Sequence, residues 1–209
     1  EFLNINMSKQ NSVRVKCVLL GDTNVGKSSL VLRYINKEFN EFSESTIGCA
    51  FNNFSLKHNN VNYKLDIWDT AGQERYRGLM PMYYRNADIV FLCVDLSQDS
   101  NEKILNDYMY WKKQIAIHND NENRVILLIG TKNDISIGRS ESDVREILDE
   151  DSYPYLETSA KNDVGVNQMF EFAIMRLSNK KSDENILIVQ NPNDSQNWYY
   201  DMFSLCNIL

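Results

Sequence analysis

Apolar positions follow two alternating rhythms along this chain. Val13, Val15 and Cys17 to Leu20 form a strand-like run, and Leu30, Val31, Tyr34 and Ile35 come next at helical spacing. Phe51 to Lys57 and Val61 to Trp68 flank Asn59 and Asn60, a pair suited to a hairpin turn. In the second of these strands Val61, Tyr63, Leu65 and Ile67 share one face, which leaves the large aromatic Trp68 on the polar face with Asn62, Lys64 and Asp66. Asp88 to Asp95 is almost continuously apolar, as expected of a parallel strand covered on both sides. Ile104, Tyr108, Trp111 and Ile115 fall on one helical stripe, and Val125 to Ile129 is a further buried strand. Ser142 to Leu148 reads as a short helix, Tyr155 to Thr158 as a last strand, and Val166, Phe170, Ala173 and Leu177 as the face of a closing helix. Strands alternating with helices after one hairpin predict an α/β fold: a doubly wound, mostly parallel six-stranded sheet with one antiparallel edge strand.

Three stretches lack such a rhythm. Lys37 to Phe51 is polar and small, with no helical period, and reads as a long exposed loop of the kind that carries function. Asp69 to Ala87 is a turn followed by mixed polar and aromatic residues, broken by Pro81. From Ser178 the pattern loosens toward Ile186 to Val189 and the aromatic cluster Trp198, Tyr199, Tyr200 and Phe203, which is expected to be a largely disordered tail. At the other end EFLNIN matches nothing that follows, while Met7 opens MSKQ like a natural start. The expected division is therefore an N-terminal extension at 1–12, in part appended before Met7, a domain at 13–178 and a tail at 179–209.

The 209 residues suffice for one domain with a sizeable core. A net charge of −7 argues against a broad footprint for DNA or RNA, so nucleic acid is not an expected partner. No apolar run is long enough to span a bilayer, and none has the organisation of a signal peptide. Cys17, Cys49, Cys93 and Cys206 show neither metal spacing nor a disulfide framework, which fits a reducing cytosolic setting.

The chemistry concentrates in short strings placed where strands end. GDTNVGKSS, Gly21 to Ser29, stands between a strand and a helix, the context in which G-x-x-x-x-G-K-[ST] forms a phosphate cradle. Main-chain N–H groups of Asp22, Thr23, Asn24, Val25, Gly26 and Lys27 would converge with a helix N-terminus on one anion, and Ser29 completes the string. Lys27 adds charge for the terminal phosphates, and the Ser28 hydroxyl offers an oxygen to Mg²⁺. These strings place the sheet among P-loop NTPases. Asp69, at the end of a strand, can hold the Mg²⁺ coordination sphere, and Gly72 beside it allows a main-chain N–H to approach the γ-phosphate. In TKND, Thr131 to Asp134, the Asp134 carboxylate can accept from guanine N1–H and its exocyclic amine, a donor pair adenine lacks. Lys132 can lay its stem over the ring, and in TSAK, Thr158 to Lys161, an N–H at Ala160 can donate to O6 beside Ser159 and Lys161.

With these motifs in order, the sequence resembles a small GTPase of the Ras superfamily, specifically a Rab, over Arg14 to about Leu177. IGCAF (Ile47 to Phe51), KLDIWDTAGQERY (Lys64 to Tyr76) and YYRNA (Tyr83 to Ala87) carry the Rab likeness, and FNEFSESTIG with LMPMYYR is similar to the early-endosomal Rab subgroup. The resemblance implies a GTP-hydrolysing switch in vesicle trafficking, with Mg²⁺ and GTP or GDP bound. It makes Thr46 the loop threonine that reaches Mg²⁺ and the γ-phosphate, Phe39 an aromatic beside the guanine, and Gln73 the residue that orients the attacking water. Phe51, Trp68 and Tyr83 resemble the aromatic triad offered to effectors. Expected partners are an exchange factor, an activating protein supplying an arginine in trans, a GDP-dissociation inhibitor or escort protein, effectors and a membrane; the chain is expected to be a monomer cycling between cytosol and the cytoplasmic face of endosomal or other vesicles.

Two departures from the family pattern carry consequences. Thr131 stands where asparagine is usual, so a contact to the base or cradle is expected to be lost, with modestly faster nucleotide exchange. Thr23 places a methyl where an incoming arginine would pass, which leaves a second reading open: a GTP-binding scaffold with little hydrolysis. A metabolic nucleotide kinase would need an arginine-lined second phosphate site and a lid insertion, and neither is visible. Cys206-Asn207-Ile208-Leu209 fits C-a-a-X with terminal leucine, the pattern for geranylgeranylation of Cys206, although Rabs usually end with two such cysteines and no polybasic stretch precedes this one. Nucleotide extracted from the purified chain should be guanine nucleotide, and Ser28→Asn should lower the amount retained; chromatography of the extract checks both.

Overall fold

The computed structural model describes residues 12–118, 121, 123–136, 138–148 and 153–186. The start at Met7, the aromatic cluster near Trp198 and Cys206 lie outside the described residues. Strand β1 (Ser12–Leu20) is central because from Cys17 to Leu20 its side chains are apolar in both directions. Val15, Cys17 and Leu19 enter one core layer, while Val18 and Leu20 enter the other. The same division runs through β4 (Ile89–Asp95), where Ile89, Phe91 and Cys93 face one side and Val90, Leu92 and Val94 the other. A strand buried on both faces cannot sit at an edge without exposing that surface.

The sheet order is β2-β3-β1-β4-β5-β6. Strands β2 (Cys49–His58) and β3 (Val61–Thr70) pair antiparallel, with Phe51 opposite Trp68, and every other neighbour is parallel. Asn59 and Asn60 turn the hairpin with φ of 47° and 63°, the left-handed pair a two-residue type I′ turn requires. Strand β5 (Val125–Thr131) is longer than its apolar run, because Gly130 and Thr131 still pair with Val94 and Asp95 of β4. Strand β6 (Tyr155–Glu157) closes that edge.

Helices cover both faces. Leu30, Val31 and Tyr34 of α1 (Lys27–Asn36) and Val166, Met169, Phe170, Ala173, Ile174 and Leu177 of α5 (Val166–Ile186) form one layer. Tyr34 stacks on Phe170 with ring centroids 3.8 Å apart and tilts onto Phe54 at 4.6 Å. The opposite layer takes Met80 and Tyr84 from α2 (Met80–Tyr84), all four stripe residues Ile104, Tyr108, Trp111 and Ile115 from α3 (Asn101–Ile117), and Val144 and Leu148 from α4 (Glu141–Leu148).

Two elements differ from the sequence expectation. Pro81 does not break the stretch after Asp69; it sits in the first turn of α2, where its missing N–H has no partner to lose. Helix α5 continues through Ile186, past the loosening at Ser178, because an established helix propagates through polar residues at one hydrogen bond each. Lys180 on this extension donates from Nζ to the Arg124 carbonyl at 2.9 Å. Among the described residues no helix is long and apolar enough to cross a membrane. Phe170→Ala removes the ring that Tyr34 and Phe91 both contact; it should cost about 3–5 kcal/mol of unfolding free energy, read from urea melts as a lower midpoint at unchanged slope.

Candidate functional site

The chain leaves β1 for β3 on one side and then returns to β4 on the other, so the sheet reverses its direction of winding beside β1. Loops leaving the carboxyl ends of neighbouring strands diverge there and form a crevice. The 21–28 loop lies in it. Asn24 and Gly26 adopt left-handed φ of 61° and 103°, which curls the main chain back on itself before α1 begins. Helix α1 has no side-chain cap and no acid in its first turn, so its opening N–H groups are left for a ligand. Lys27 is buried, and its Nζ donates to the carbonyls of Gly21 and Asp22 at 2.9 and 2.8 Å. Burial pushes its pKa down, partly countered by Cys93, Asp69 and Asp22. Thr23 is exposed; Val25 is buried.

Three oxygens from separate segments meet beside this loop. Ser28 Oγ lies 2.6 Å from Thr46 Oγ1, and Thr46 Oγ1 donates to Asp69 Oδ2 at 3.4 Å. The other Asp69 oxygen, Oδ1, is buried with no hydrogen-bond partner. Burial raises the Asp69 pKa, while the Ser28 hydroxyl, the Lys27 charge and the Thr46 hydroxyl oppose the rise. Two hydroxyls and an orphaned carboxylate oxygen suit a hard, oxygen-seeking divalent cation such as Mg²⁺. Ser29, one position on, lines a cavity of about 210 Å³ between α1 and β2 with Ser28 and Asp69. Gly72 lies against the cradle: a β-carbon there would come within 2.3–2.4 Å of Asp22 and Thr23 main-chain atoms. Gln73 opens the 3₁₀ turn Glu74–Leu79 from an extended conformation and is half-buried.

The other end of the crevice is built on β5 and β6. Ser159 Oγ donates to Asp134 Oδ1 at 2.6 Å and accepts from the Asn162 N–H at 3.0 Å, which fixes the carboxylate. Lys132, with φ of 57°, bonds through Nζ to Asp95 Oδ2 at 2.8 Å. Ala160 is buried, Lys161 reaches Glu41 at 3.3 Å, and Phe39 packs half-buried on the α1–α5 layer. Thr131 departs from expectation. Its Oγ1 lies 2.6 Å from the Val25 carbonyl and 3.0 Å from that of Val94, so the contact from β5 to the cradle is kept. The cradle passes close enough for a short hydroxyl to do this, so the cradle contact that was expected to be lost is present.

On the outer face of the hairpin, Trp68 meets Phe51 edge-on at 5.0 Å and Tyr83 at 5.8 Å, so the three aromatics form one cluster. Phe51 is 47% exposed, and Ile47, Leu79 and Met82 are exposed too. Three contributors escaped the sequence reading. Asp95 holds Lys132 and also accepts from Ser97 and Gln98. Arg77 approaches Asp22 at 3.7 Å with its guanidinium 4.1 Å over the Tyr110 ring, and Lys103 of α3 reaches the same carboxylate at 3.2 Å. The pairings Lys132–Asp95, Arg77–Asp22 and Lys103–Asp22 span tens of residues, and no local spacing marks them.

A cradle at the switch point of a doubly wound sheet, with a carboxylate clamp at the far end, defines a P-loop protein built for guanine nucleotides. The profile of the Ras family matches residues 16–179. The chain is 41% identical over 181 residues to Ras-related protein RHN1 of Nicotiana plumbaginifolia, covering 85% of this chain and 88% of that protein. It is 39% identical over 176 residues to Ras-related protein RABF2b of Arabidopsis thaliana, covering 83% and 86%. To GTP-binding protein ypt5 of Schizosaccharomyces pombe it is 42% identical over 171 residues, 79% of each. The chain belongs to the Ras family. Within it, the chain is a Rab-type small GTPase, a switch that binds GTP or GDP and hydrolyses GTP to GDP.

Asp95 supplies a pH test. Burial alone would raise its pKa, but bonds from Lys132, Ser97 and Gln98 outweigh it and leave the carboxyl below its ordinary 3.8. A depressed carboxyl stabilises the fold above the unfolded value and loses that contribution as pH falls through the folded one. Asp95→Asn should therefore be less stable than the parent at pH 7, with the gap closing below pH 3.8 in denaturant titrations.

Proposed function

We propose that the crevice holds a guanine nucleotide with its phosphates in the 22–28 loop and its base between Phe39 and Lys132, paired to Asp134. The observation that carries this is the meeting of Ser28, Thr46 and Asp69 beside a buried lysine. Bound there, Mg²⁺ would neutralise charge on the β- and γ-phosphates. Lys27 binds the same phosphates from the cradle side. Gln73 orients the attacking water, and Gly72 brings its N–H toward the γ-phosphate when GTP is present. An N–H at Ala160 donates to O6, with Ser159 bracing Asp134 and Lys161 flanking the ring.

Thr46 and Gly72 stand on two different segments that converge on one phosphate. GTP holds both in place, and loss of the γ-phosphate on hydrolysis releases them. The unaided reaction is slow, roughly 10⁻⁴ s⁻¹, and an activating protein adds about 10⁵-fold by supplying an arginine. Arg77 is held by Asp22 and Tyr110, which supports an arginine supplied by a partner. The cluster of Phe51, Trp68 and Tyr83 is the surface effectors read. An exchange factor and a GDP-dissociation inhibitor or escort protein complete the cycle. The likeness to Rab5-type relatives, Ras-related protein Rab5 of Nicotiana tabacum among them, supports endosomal vesicles as the place of action. Prenylation at Cys206 anchors the chain to their cytoplasmic face.

The test is the base. An Asp134→Asn side chain presents an amide where guanine needs an acceptor pair and should weaken GDP binding about a hundredfold or more. Xanthosine diphosphate, which offers an acceptor at position 2, should then bind better than GDP. Equilibrium titration with the two diphosphates reads both; an unchanged preference for GDP would remove Asp134 from the base site.

A further inference from the structure

Arg33 lies in the last turn of α1, outside every nucleotide motif. Its guanidinium places all three nitrogens on main-chain carbonyls. Nε donates to Ala160 at 2.6 Å, Nη2 to Lys161 at 3.1 Å and Nη1 to Lys37 at 2.8 Å. The first two partners are 127 and 128 positions away in sequence. Lys37, with φ of 61°, is the left-handed residue that ends α1, and its own N–H returns to the Arg33 carbonyl at 3.1 Å. The long loop that carries Phe39 and Thr46 departs from that residue. One planar group thus joins the root of this loop to the loop that carries Ser159, Ala160 and Lys161.

The geometry constrains more than the carbonyls. In a planar trans peptide, the Ala160 C=O and the Lys161 N–H point in opposite directions. With the carbonyl pinned on the α1 side, that N–H is aimed away from α1, and the peptide plane cannot rock without breaking a charge-assisted bond. Two parallel contacts, Lys37 to Asn167 at 2.8 Å and Lys161 to Glu41 at 3.3 Å, are exposed and add little by comparison. A lysine at position 33 has the charge but a single ammonium, so it cannot serve three carbonyls fixed in one fork.

We propose that Arg33 is a positioning residue for base recognition. It holds the Ala160–Lys161 peptide so that the Lys161 N–H joins that of Ala160 at purine O6, and it ties that peptide to the root of the Thr46 segment. The proposal rests on the guanine-binding reading above. Under it, opening of the loop at Lys37 and release of the base are one event.

Release rates of GDP and of 6-thioguanosine diphosphate from the parent chain, Arg33→Lys and Arg33→Gln test this. The thio nucleotide keeps the N1–H and 2-amine read by Asp134 but replaces O6 with sulfur, a weak acceptor. GDP should leave both variants roughly tenfold faster than the parent. The thio nucleotide should be accelerated by a clearly smaller factor, because the bond that Arg33 aligns is already weak. Should Arg33→Gln fail to fold, Arg33→Lys, which retains stem and charge, decides alone. GDP release unchanged in Arg33→Lys overturns the proposal, as does equal acceleration of the two nucleotides, which would mark general loosening. A parent chain that retains neither nucleotide would instead overturn the guanine-binding reading, and the proposal with it.

Discussion

A lysine ammonium held inside the protein by two carbonyl oxygens is the constraint around which this structure is arranged. Lys27 is 5% exposed, and among the described residues no carboxylate forms an ion pair with it. Removing a cation from water without a partner anion costs several kcal/mol, and two carbonyl dipoles return only part of that. The orphaned Asp69 Oδ1 a short distance away has the opposite need. A polyphosphate with a divalent cation would satisfy both groups at once. Nucleotide bound there would therefore stabilise the fold around it as well as fill a site.

The sheet makes this arrangement possible at low conformational cost. The C-terminal half of β1 and all of β4 are buried on both faces, so the strand ends that carry the cradle and the loop after β4 are anchored in the core. By contrast, the 37–48 segment between α1 and β2 has exposed residues through most of its length. Rigid donors on one side and a loosely packed segment on the other are what a nucleotide-dependent switch needs, since only the segment with few buried contacts can be released.

Most of the architecture was legible in the residues because burial leaves a period. The stripe of Ile104, Tyr108, Trp111 and Ile115, the Asn59–Asn60 turn and the alternation that isolates Trp68 all translated directly into structure. Elements without such a period were the ones misplaced: Pro81 opens a helix because position within the first turn decides its effect, and the last turns of α5 are polar. In the site, short strings next to strand ends located the cradle and clamp. What they could not reveal were side chains that act across the fold. Arg33, Asp95, Arg77 and the Thr131 hydroxyl each reach a partner that only the folded sheet brings near. Thr131 differs from the usual asparagine, yet its hydroxyl still reaches the Val25 carbonyl of the cradle at 2.6 Å.

Gly72 has a mechanical meaning as well as a chemical one. With Asp22 and Thr23 main-chain atoms 2.3–2.4 Å from where its first side-chain carbon would be, the two loops meet without clearance. Surfaces in such contact behave as a bearing and its seat: one can roll over the other or lift away from it, but it cannot press closer. A displacement of the segment after β3 toward the 21–28 loop would thereby be handed to that loop's main chain.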